Sequence, residues 1–87
     1  RLLFLELLKK NPQDTFTLNY VSYKLALKNQ ELELALNLIK KALVLDPNNG
    51  YFLDTLGWVE YKRNNFNSAV YFLEKSVSIL STSNIEI

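Results

Sequence analysis

Two pairs of acidic residues are close enough in sequence to act as a general acid and a general base. Asp54 with Glu60 is one pair, and Glu31 with Glu33 is the other. Catalysis also needs a pocket and a metal cluster or a nucleophile beside a base, and the chain contains no histidine and no cysteine. Solvated helix faces explain both pairs better. The sequence therefore predicts a protein that is not an enzyme and that binds no cofactor or metal.

Glycine placement, charge and hydropathy argue against other classes of function. The two glycines, Gly50 and Gly57, lie too far apart to form a glycine-rich loop around a phosphate. The chain has ten Lys and Arg residues and nine Asp and Glu residues. This net charge of +1 gives no electrostatic argument for binding to nucleic acid or to an anionic membrane. No apolar run approaches the roughly 20 residues of a membrane span, so we expect no direct membrane insertion.

The elements that carry these side chains are two copies of one unit. Residues 18–47 align with residues 53–81, first at an offset of 35 and then at an offset of 34. We therefore expect one extra residue in the first unit, in a turn around Lys28, Asn29 and Gln30. In the second half of each unit the aligned apolar positions have the 3.6-residue period of a helix. These positions are 32, 35, 36, 39, 42 and 43 in one unit, and 66, 69, 70, 73, 76 and 77 in the other.

Each unit is predicted to be a pair of antiparallel helices. The first helices cover about residues 15–28 and 50–63, and the pairs are separated by the helix-stopping sequence Asp46-Pro47. Asn11-Pro12 matches that sequence. The predicted organisation is thus a single domain with residues 1–12 ending a preceding repeat, repeats at 15–48 and 50–83, and residues 84–87 starting a following helix. Ser81 to Asn84 occupy the position expected for a linker. We therefore interpret the chain as a segment of a longer array.

A glycine within a helix costs roughly 1 kcal/mol relative to alanine, so Gly57 needs a structural reason. We expect close approach of the paired helices at Gly57 and Ala69, and at Ser22 and Ala35 in the other unit. The next residue, Trp58, lies about 100° around the same helix. Helical spacing places it on one stripe with other residues of this helix. The stripe comprises Tyr51, Asp54, Trp58, and Tyr61 or Lys62.

The pattern resembles the tetratricopeptide repeat family. The resemblance is carried by Leu56-Gly57, Tyr61, Phe66, Ala69, Leu73 and Ile79, and in the first unit by Ala35, Ile39, Ala42, Leu45 and Asp46-Pro47. Ser22, Ser76, Ser81 and the extra turn residue depart from the family pattern. The resemblance implies an all-α, right-handed superhelix of antiparallel helix pairs. The segments LNYVSYKLA and LDTLGWVEYK are similar to bacterial members, some of them envelope lipoproteins, which leaves the compartment open between cytoplasm and cell envelope.

The family's first helices line a concave surface, and this implies a scaffold that binds a peptide or a helix of a partner protein. The implied contact residues are Asn19, Tyr23, Tyr51, Asp54, Trp58 and Lys62. Large aromatic side chains carry much of the binding energy at protein interfaces. For Trp58 and Tyr23, partner binding and packing against a neighbouring unit are equally good explanations. For Tyr61 we favour packing against the neighbouring unit, because aromatic residues at helical spacing usually belong to a core.

Two alternatives remain open at the level of sequence. The offset of 35 residues is also the length of some RNA-reading helical repeats, although the near-neutral charge argues against RNA. The second alternative is self-association through apolar repeat ends, which a repeat array normally covers. The residues concerned are Leu2, Leu3, Phe4 and Leu7 at one end, and Ile79, Leu80, Ile85 and Ile87 at the other.

Overall fold

A computed structural model describes residues 2–85 of the chain. Within these residues every regular element is an α-helix, which confirms the predicted all-α class. The helices are α1 (Leu2–Lys10), α2 (Thr15–Leu27), α3 (Leu32–Leu45), α4 (Gly50–Lys62) and α5 (Phe66–Ile85). The starts and ends of α2 and α4 lie within one residue of the predicted bounds. None of the helices in this part of the chain is long and apolar enough to cross a membrane.

Polar side chains fix where α2 and α4 begin. The carboxylate of Asp14 accepts a hydrogen bond from the backbone N–H of Phe16 at 3.2 Å. The side-chain oxygen of Asn49 does the same for the N–H of Tyr51 at 2.9 Å. Both are N-cap interactions, which satisfy backbone donors that a helix leaves without a partner in its first turn. The same offset of 35 residues relates the two caps, so the repeat extends to the ends of the helices.

The extra residue of the first unit lies in the turn between α2 and α3, as predicted. In the second unit, Asn65 closes α4 with its N–H, which donates to the carbonyl of Glu60, and starts α5 with its carbonyl, which accepts from Ala69. In the first unit, the end of the first helix and the start of the second are formed by two different residues. Gln30 closes α2, and Glu31 starts α3 with a left-handed backbone of φ 45°. Because Glu31 absorbs the insertion, α2 and α4 both keep 13 residues.

The core is built around α4, which packs against α2, α3 and α5. Eight of its thirteen residues are buried. The main apolar cluster joins Leu18, Val21, Leu25 and Ala26 of α2, Ala35, Leu36, Ile39 and Ala42 of α3, and Phe52, Leu56 and Val59 of α4. Burial of these side chains contributes roughly 25 cal/mol per Å² of apolar surface. The main cluster therefore joins α2, α3 and α4, and α5 contributes Phe72, which is partly buried and packs against it.

The α4 and α5 helices cross closely at Gly57, as the sequence predicts. A Cβ atom at Gly57 would lie 2.6 Å from Cγ of Leu73 and 3.3 Å from the carbonyl oxygen of Ala69. Gly50, at the start of α4, has the same role further along, because a Cβ there would lie 2.7 Å from Cγ of Leu80. Both glycines are therefore set by contact with α5.

The predicted linker at residues 81–84 is wrong, because α5 continues through Ile85. These residues contain neither proline nor glycine, so no backbone constraint ends the helix there. The hydroxyl of Thr82 donates to the carbonyl of Ser78 at 2.8 Å, one turn back, which is compatible with a continuing helix. Residues 86 and 87 of the predicted following helix lie outside the described residues.

Candidate partner-binding surface

The exposed side of α4 is the stripe that the sequence predicts. With eight residues of α4 buried, five remain at least partly exposed. They are Tyr51, Asp54, Trp58, Tyr61 and Lys62. Trp58 keeps 39% of its surface exposed and Tyr51 keeps 68%. The single tryptophan therefore lies at the surface, with one part of its ring packed and the other part in solvent.

The α2 helix presents matching residues at the same register. Phe16, Asn19, Tyr23 and Leu27 stand at the positions of Tyr51, Asp54, Trp58 and Lys62, and all four are exposed or half-buried. The two helices are in contact. The rings of Phe16 and Phe52 meet edge-on with centroids 6.2 Å apart, so the N-terminal ends of α2 and α4 lie together. We call these four residues and the five of α4 the first-helix face.

Two further residues belong beside this face that the sequence analysis missed. Tyr20 is exposed, and the ammonium group of Lys24 lies 5.6 Å from the centroid of its ring. This distance is typical of a cation–π contact. The signal was present in the sequence, because a tyrosine and a lysine four residues apart meet on one side of a helix.

Aromatic rings continue from the first-helix face to the start of α5. The ring of Tyr61 lies 5.7 Å from that of Trp58 and 5.6 Å from that of Phe66, both in edge-on geometry. Tyr61 is not a core residue, because 48% of its surface is exposed. Tyr61 stands at the end of α4, where α5 covers only one side of the ring. The three rings hold one another in place at the surface.

Two polar groups at equivalent positions give the first-helix face its chemical character. The side-chain oxygen Oδ1 of Asn19 is buried and has no hydrogen-bond partner among the described residues. Partial burial raises the pKa of the Asp54 carboxyl above its ordinary value of 3.8. An unpaired buried acceptor and a partly desolvated carboxylate are both stabilised by an approaching donor. The face therefore offers two oxygen acceptors, Asn19 and Asp54, to a ligand that carries N–H groups.

Two of the other carboxylates singled out in the sequence, Glu33 and Glu60, serve a structural contact. Glu60 is buried and accepts a hydrogen bond from Nη1 of Arg63 at 2.6 Å. Glu33 accepts from Nε and Nη2 of the same guanidinium at 3.0 and 2.8 Å. Two hydrogen bonds, the one to Glu60 with the larger effect and the one to Glu33 with the smaller, raise the pKa of Arg63 above its ordinary value. The guanidinium thus links the end of α4 to the start of α3. Glu60 pairs with Arg63 and not with Asp54.

The apolar ends differ in how much they expose. Leu3 is 64% exposed and Leu7 is half-buried. Ile79 and Leu80 are half-buried, and Leu80 packs where a side chain at Gly50 would otherwise lie. The side chains of Leu2, Phe4, Ile85 and Ile87 lie outside the described residues. Residues 2–85 contain no cluster of three or more carboxylate, His or Cys side chains that could hold a metal ion.

Comparison with known proteins adds no relative to this picture. The chain matches no protein-family model, no curated protein sequence and no solved structure. The resemblance to tetratricopeptide repeats is accordingly carried by the residues of this chain alone.

Proposed function

We propose that the chain is a non-catalytic scaffold that binds a peptide or a helix of a partner protein on its first-helix face. One observation carries this proposal. Two adjacent helices expose aromatic side chains at the same register positions, Phe16 and Tyr23 on α2 and Tyr51 and Trp58 on α4. The proposal includes the finer fold: a right-handed, tetratricopeptide-type superhelix, in which this face lines the concave side.

Exposed aromatic side chains on two adjacent helices favour binding over mere solvation. Contiguous apolar surface on a soluble protein marks interaction sites more often than chance exposure does. Trp58 and Tyr23 offer large, rigid contact areas, and Trp and Tyr are enriched among the residues that dominate binding energy. Edge-on contact of Trp58 with Tyr61 limits the motion of both rings before a ligand arrives. Less side-chain entropy is then lost on binding.

The polar groups of the face indicate what the ligand supplies. Oδ1 of Asn19 lacks a partner, and Asp54 is partly desolvated. A peptide that places a backbone N–H, an amide or a cationic side chain near these two positions would satisfy both groups. Single-stranded RNA is the weaker candidate for this face, because the net charge of +1 gives no electrostatic argument for a polyanion.

The test uses the single tryptophan as a reporter. Peptides are selected from a random display library on the whole chain, and each is titrated while the emission of Trp58 is followed. We expect a saturable shift in emission, and Trp58 must be retained in the protein used for this readout. Affinity is then measured by calorimetry for the Trp58→Ala, Tyr23→Ala double variant. The expected loss is about tenfold or more, as for interface hot spots.

The matched control is Tyr71→Ala, which removes an exposed aromatic ring from α5, away from the first-helix face. This variant should bind the selected peptides as the unmodified chain does. Equal binding by the double variant would place the site elsewhere on the molecule. A filter-binding assay with single-stranded RNA at low salt tests the competing class, and tight RNA binding would replace the proposal.

A further inference from the structure

Asn49 is followed by Gly50, and in this sequence an asparagine side chain is open to attack by its own backbone. The attacking atom is the backbone nitrogen of the next residue, and the target is the side-chain carbon Cγ. A glycine at the next position favours the attack, because it has no Cβ to hinder the approach. The chain has two glycines, and only Gly50 follows an asparagine. Asn49 is therefore the asparagine with the greatest intrinsic reactivity.

The folded structure holds the Asn49 amide away from this reaction. Its oxygen Oδ1 accepts from the backbone N–H of Tyr51 at 2.9 Å and of Phe52 at 3.2 Å. Its nitrogen Nδ2 donates to Oδ2 of Asp46 at 3.0 Å. The backbone of Asn49 is extended, with φ −78° and ψ 110°, which turns the nitrogen of Gly50 away from the side chain. Attack on Cγ thus requires rotation about the Cα–C bond of Asn49.

Gly50 cannot follow that rotation without leaving its packed position. It is buried, and a Cβ atom there would lie 2.7 Å from Cγ of Leu80. The carbonyl of Asn49 accepts from the N–H of Leu53 at 3.0 Å, which is a hydrogen bond of the first turn of α4. The start of α4 therefore has to open before the Asn49 amide can react. Such local opening needs less free energy than unfolding of the whole chain.

We propose that Asn49 is a site of spontaneous deamidation, which the folded start of α4 suppresses and its opening releases. The Gly50 nitrogen forms a bond to Cγ of Asn49 and gives up its proton. The bond from Cγ to Nδ2 breaks, and ammonia leaves with that proton. Water then opens the cyclic imide at one of its two carbonyl groups. One product is aspartate; the other is isoaspartate, in which the main chain runs through the former side chain.

Both products disturb the junction of α3 with α4. Isoaspartate lengthens the main chain by one carbon, so the cap bonds of position 49 and the contact of Gly50 with Leu80 cannot both be kept. Aspartate places a second carboxylate where Nδ2 now donates to Asp46. The equivalent turn before α2 has one amide and one carboxylate in the opposite order, Asn11 and Asp14, so it contains no such pair.

The first experiment compares the whole chain with a synthetic peptide of residues 46–54, which lacks the fold. Both are incubated at mildly alkaline pH, with and without urea. Peptide mapping by mass spectrometry follows deamidation, and an isoaspartyl methyltransferase labels the isoaspartate. In native buffer we expect the chain to react at Asn49 about tenfold or more slowly than the peptide, and in urea the two rates should converge. Equal rates in native buffer would overturn suppression by the fold. A peptide in which Asn49 reacts no faster than Asn48 would overturn the assignment of the site.

The second experiment removes one bond of the amide. Asp46→Ala deletes the acceptor of Nδ2, so deamidation at Asn49 in native buffer should become a few-fold faster. Asp14→Ala is the matched control, because it deletes a carboxylate that caps α2 and does not contact Asn49. This control should keep the rate of the unmodified chain. Equal acceleration in both variants would show that the reaction follows global unfolding, and it would overturn the proposed role of the α4 start.

The third experiment measures what the products do to stability. The isoaspartate form, separated by chromatography, should unfold at a lower urea concentration than the unmodified chain, and an equal midpoint would contradict the predicted damage. Asn49→Asp supplies the other product. It should be less favourable in the unmodified chain than in an Asp46→Asn background, which restores one amide and one carboxylate. Equal effects in the two backgrounds would show that the carboxylates at positions 46 and 49 do not interact.

Discussion

The hydroxyl of Ser22 donates a 2.7 Å hydrogen bond to the backbone carbonyl of Ala35 across the contact of α2 with α3. The equivalent residues of the other helix pair are Gly57 and Ala69. There the carbonyl oxygen of Ala69 lies 3.3 Å from the position that a Cβ of Gly57 would take. Both pairs therefore bring the same carbonyl toward the same position of the first helix. A serine fills the space in one pair, and a glycine leaves it open in the other.

Ser22→Ala should lower the free energy of unfolding by about 1 kcal/mol. The variant removes a buried hydrogen bond but adds no bulk, and the net contribution of such a bond is typically 0.5–1.5 kcal/mol. Urea unfolding followed by circular dichroism measures the change. Ser78→Ala is the control, because Ser78 is an exposed serine of α5. A loss as large in the control as in Ser22→Ala would show that the buried bond is not the cause.

Gly57→Leu should destabilise the fold by about 3 kcal/mol or more, at the upper end of overpacking effects. Even the Cβ atom of a substituted residue would lie 2.6 Å from Cγ of Leu73, so α4 and α5 would have to separate. Thermal and urea unfolding measure the loss. A melting temperature equal to that of the unmodified chain would contradict the close crossing.

The contact with Leu73 can be isolated by a double-mutant cycle. Gly57→Ala adds one methyl group toward Leu73, while its higher helix propensity offsets about 1 kcal/mol of the clash. In a Leu73→Ala background the clash is absent, so Gly57→Ala should be clearly more favourable there than in the unmodified chain. Purely additive effects would mean that another group limits the space at Gly57.

The sequence predicts the parts of this fold that depend on local signals. Asp46-Pro47 and the matching Asn11-Pro12 mark the boundaries of the helix pairs, and the helical period identifies the stripe of α4 that contains Asp54 and Trp58. The turn insertion was found by its effect on the repeat offset, and the structure assigns it to Glu31, whose φ is 45°. Each of these features is determined by residues within a few turns of one another.

The exposure of the apolar residues of α5 could not be predicted in the same way. Periodicity shows that Val70 shares a face of α5 with Ala69, but not whether a neighbouring helix covers that face. Val70 is exposed and Ala69 is buried, because α4 reaches only one side of the apolar surface. The contact of Arg63 with Glu33 joins residues 30 positions apart, and it depends on how α3 and α4 are placed relative to one another.

Asp54→Asn should increase stability at neutral pH. Burial raises the pKa of Asp54 in the folded state above 3.8, so the folded chain binds this proton more tightly than the unfolded chain does. The contribution of Asp54 to the free energy of unfolding therefore decreases as the pH rises from 3.8 through the folded-state pKa. The asparagine variant lacks this loss, and its advantage should disappear below pH 3.8.

Urea unfolding across this pH range measures the effect of Asp54. Glu74→Gln, which removes one negative charge from an exposed position of α5, corrects for the change in net charge. If Asp54→Asn and Glu74→Gln gave the same pH profile, burial of Asp54 would not be the cause.

Arg63→Gln should lower the melting temperature more than Glu33→Gln does. Glu33 has 77% of its side chain exposed, so water replaces the lost guanidinium contact with little cost. Glu60 has only 12% of its side chain exposed, and in Arg63→Gln it keeps a charge without its cationic partner. The double variant Arg63→Gln, Glu60→Gln removes that charge and should be more stable than Arg63→Gln alone.

The melting temperature of Arg63→Lys should lie between those of the unmodified chain and Arg63→Gln, because an ammonium group cannot match the guanidinium fork that reaches both carboxylates. Thermal unfolding at low and high salt measures this order. Equal melting temperatures for Arg63→Gln and Glu33→Gln would show that the contact of Arg63 with Glu60 contributes nothing to stability.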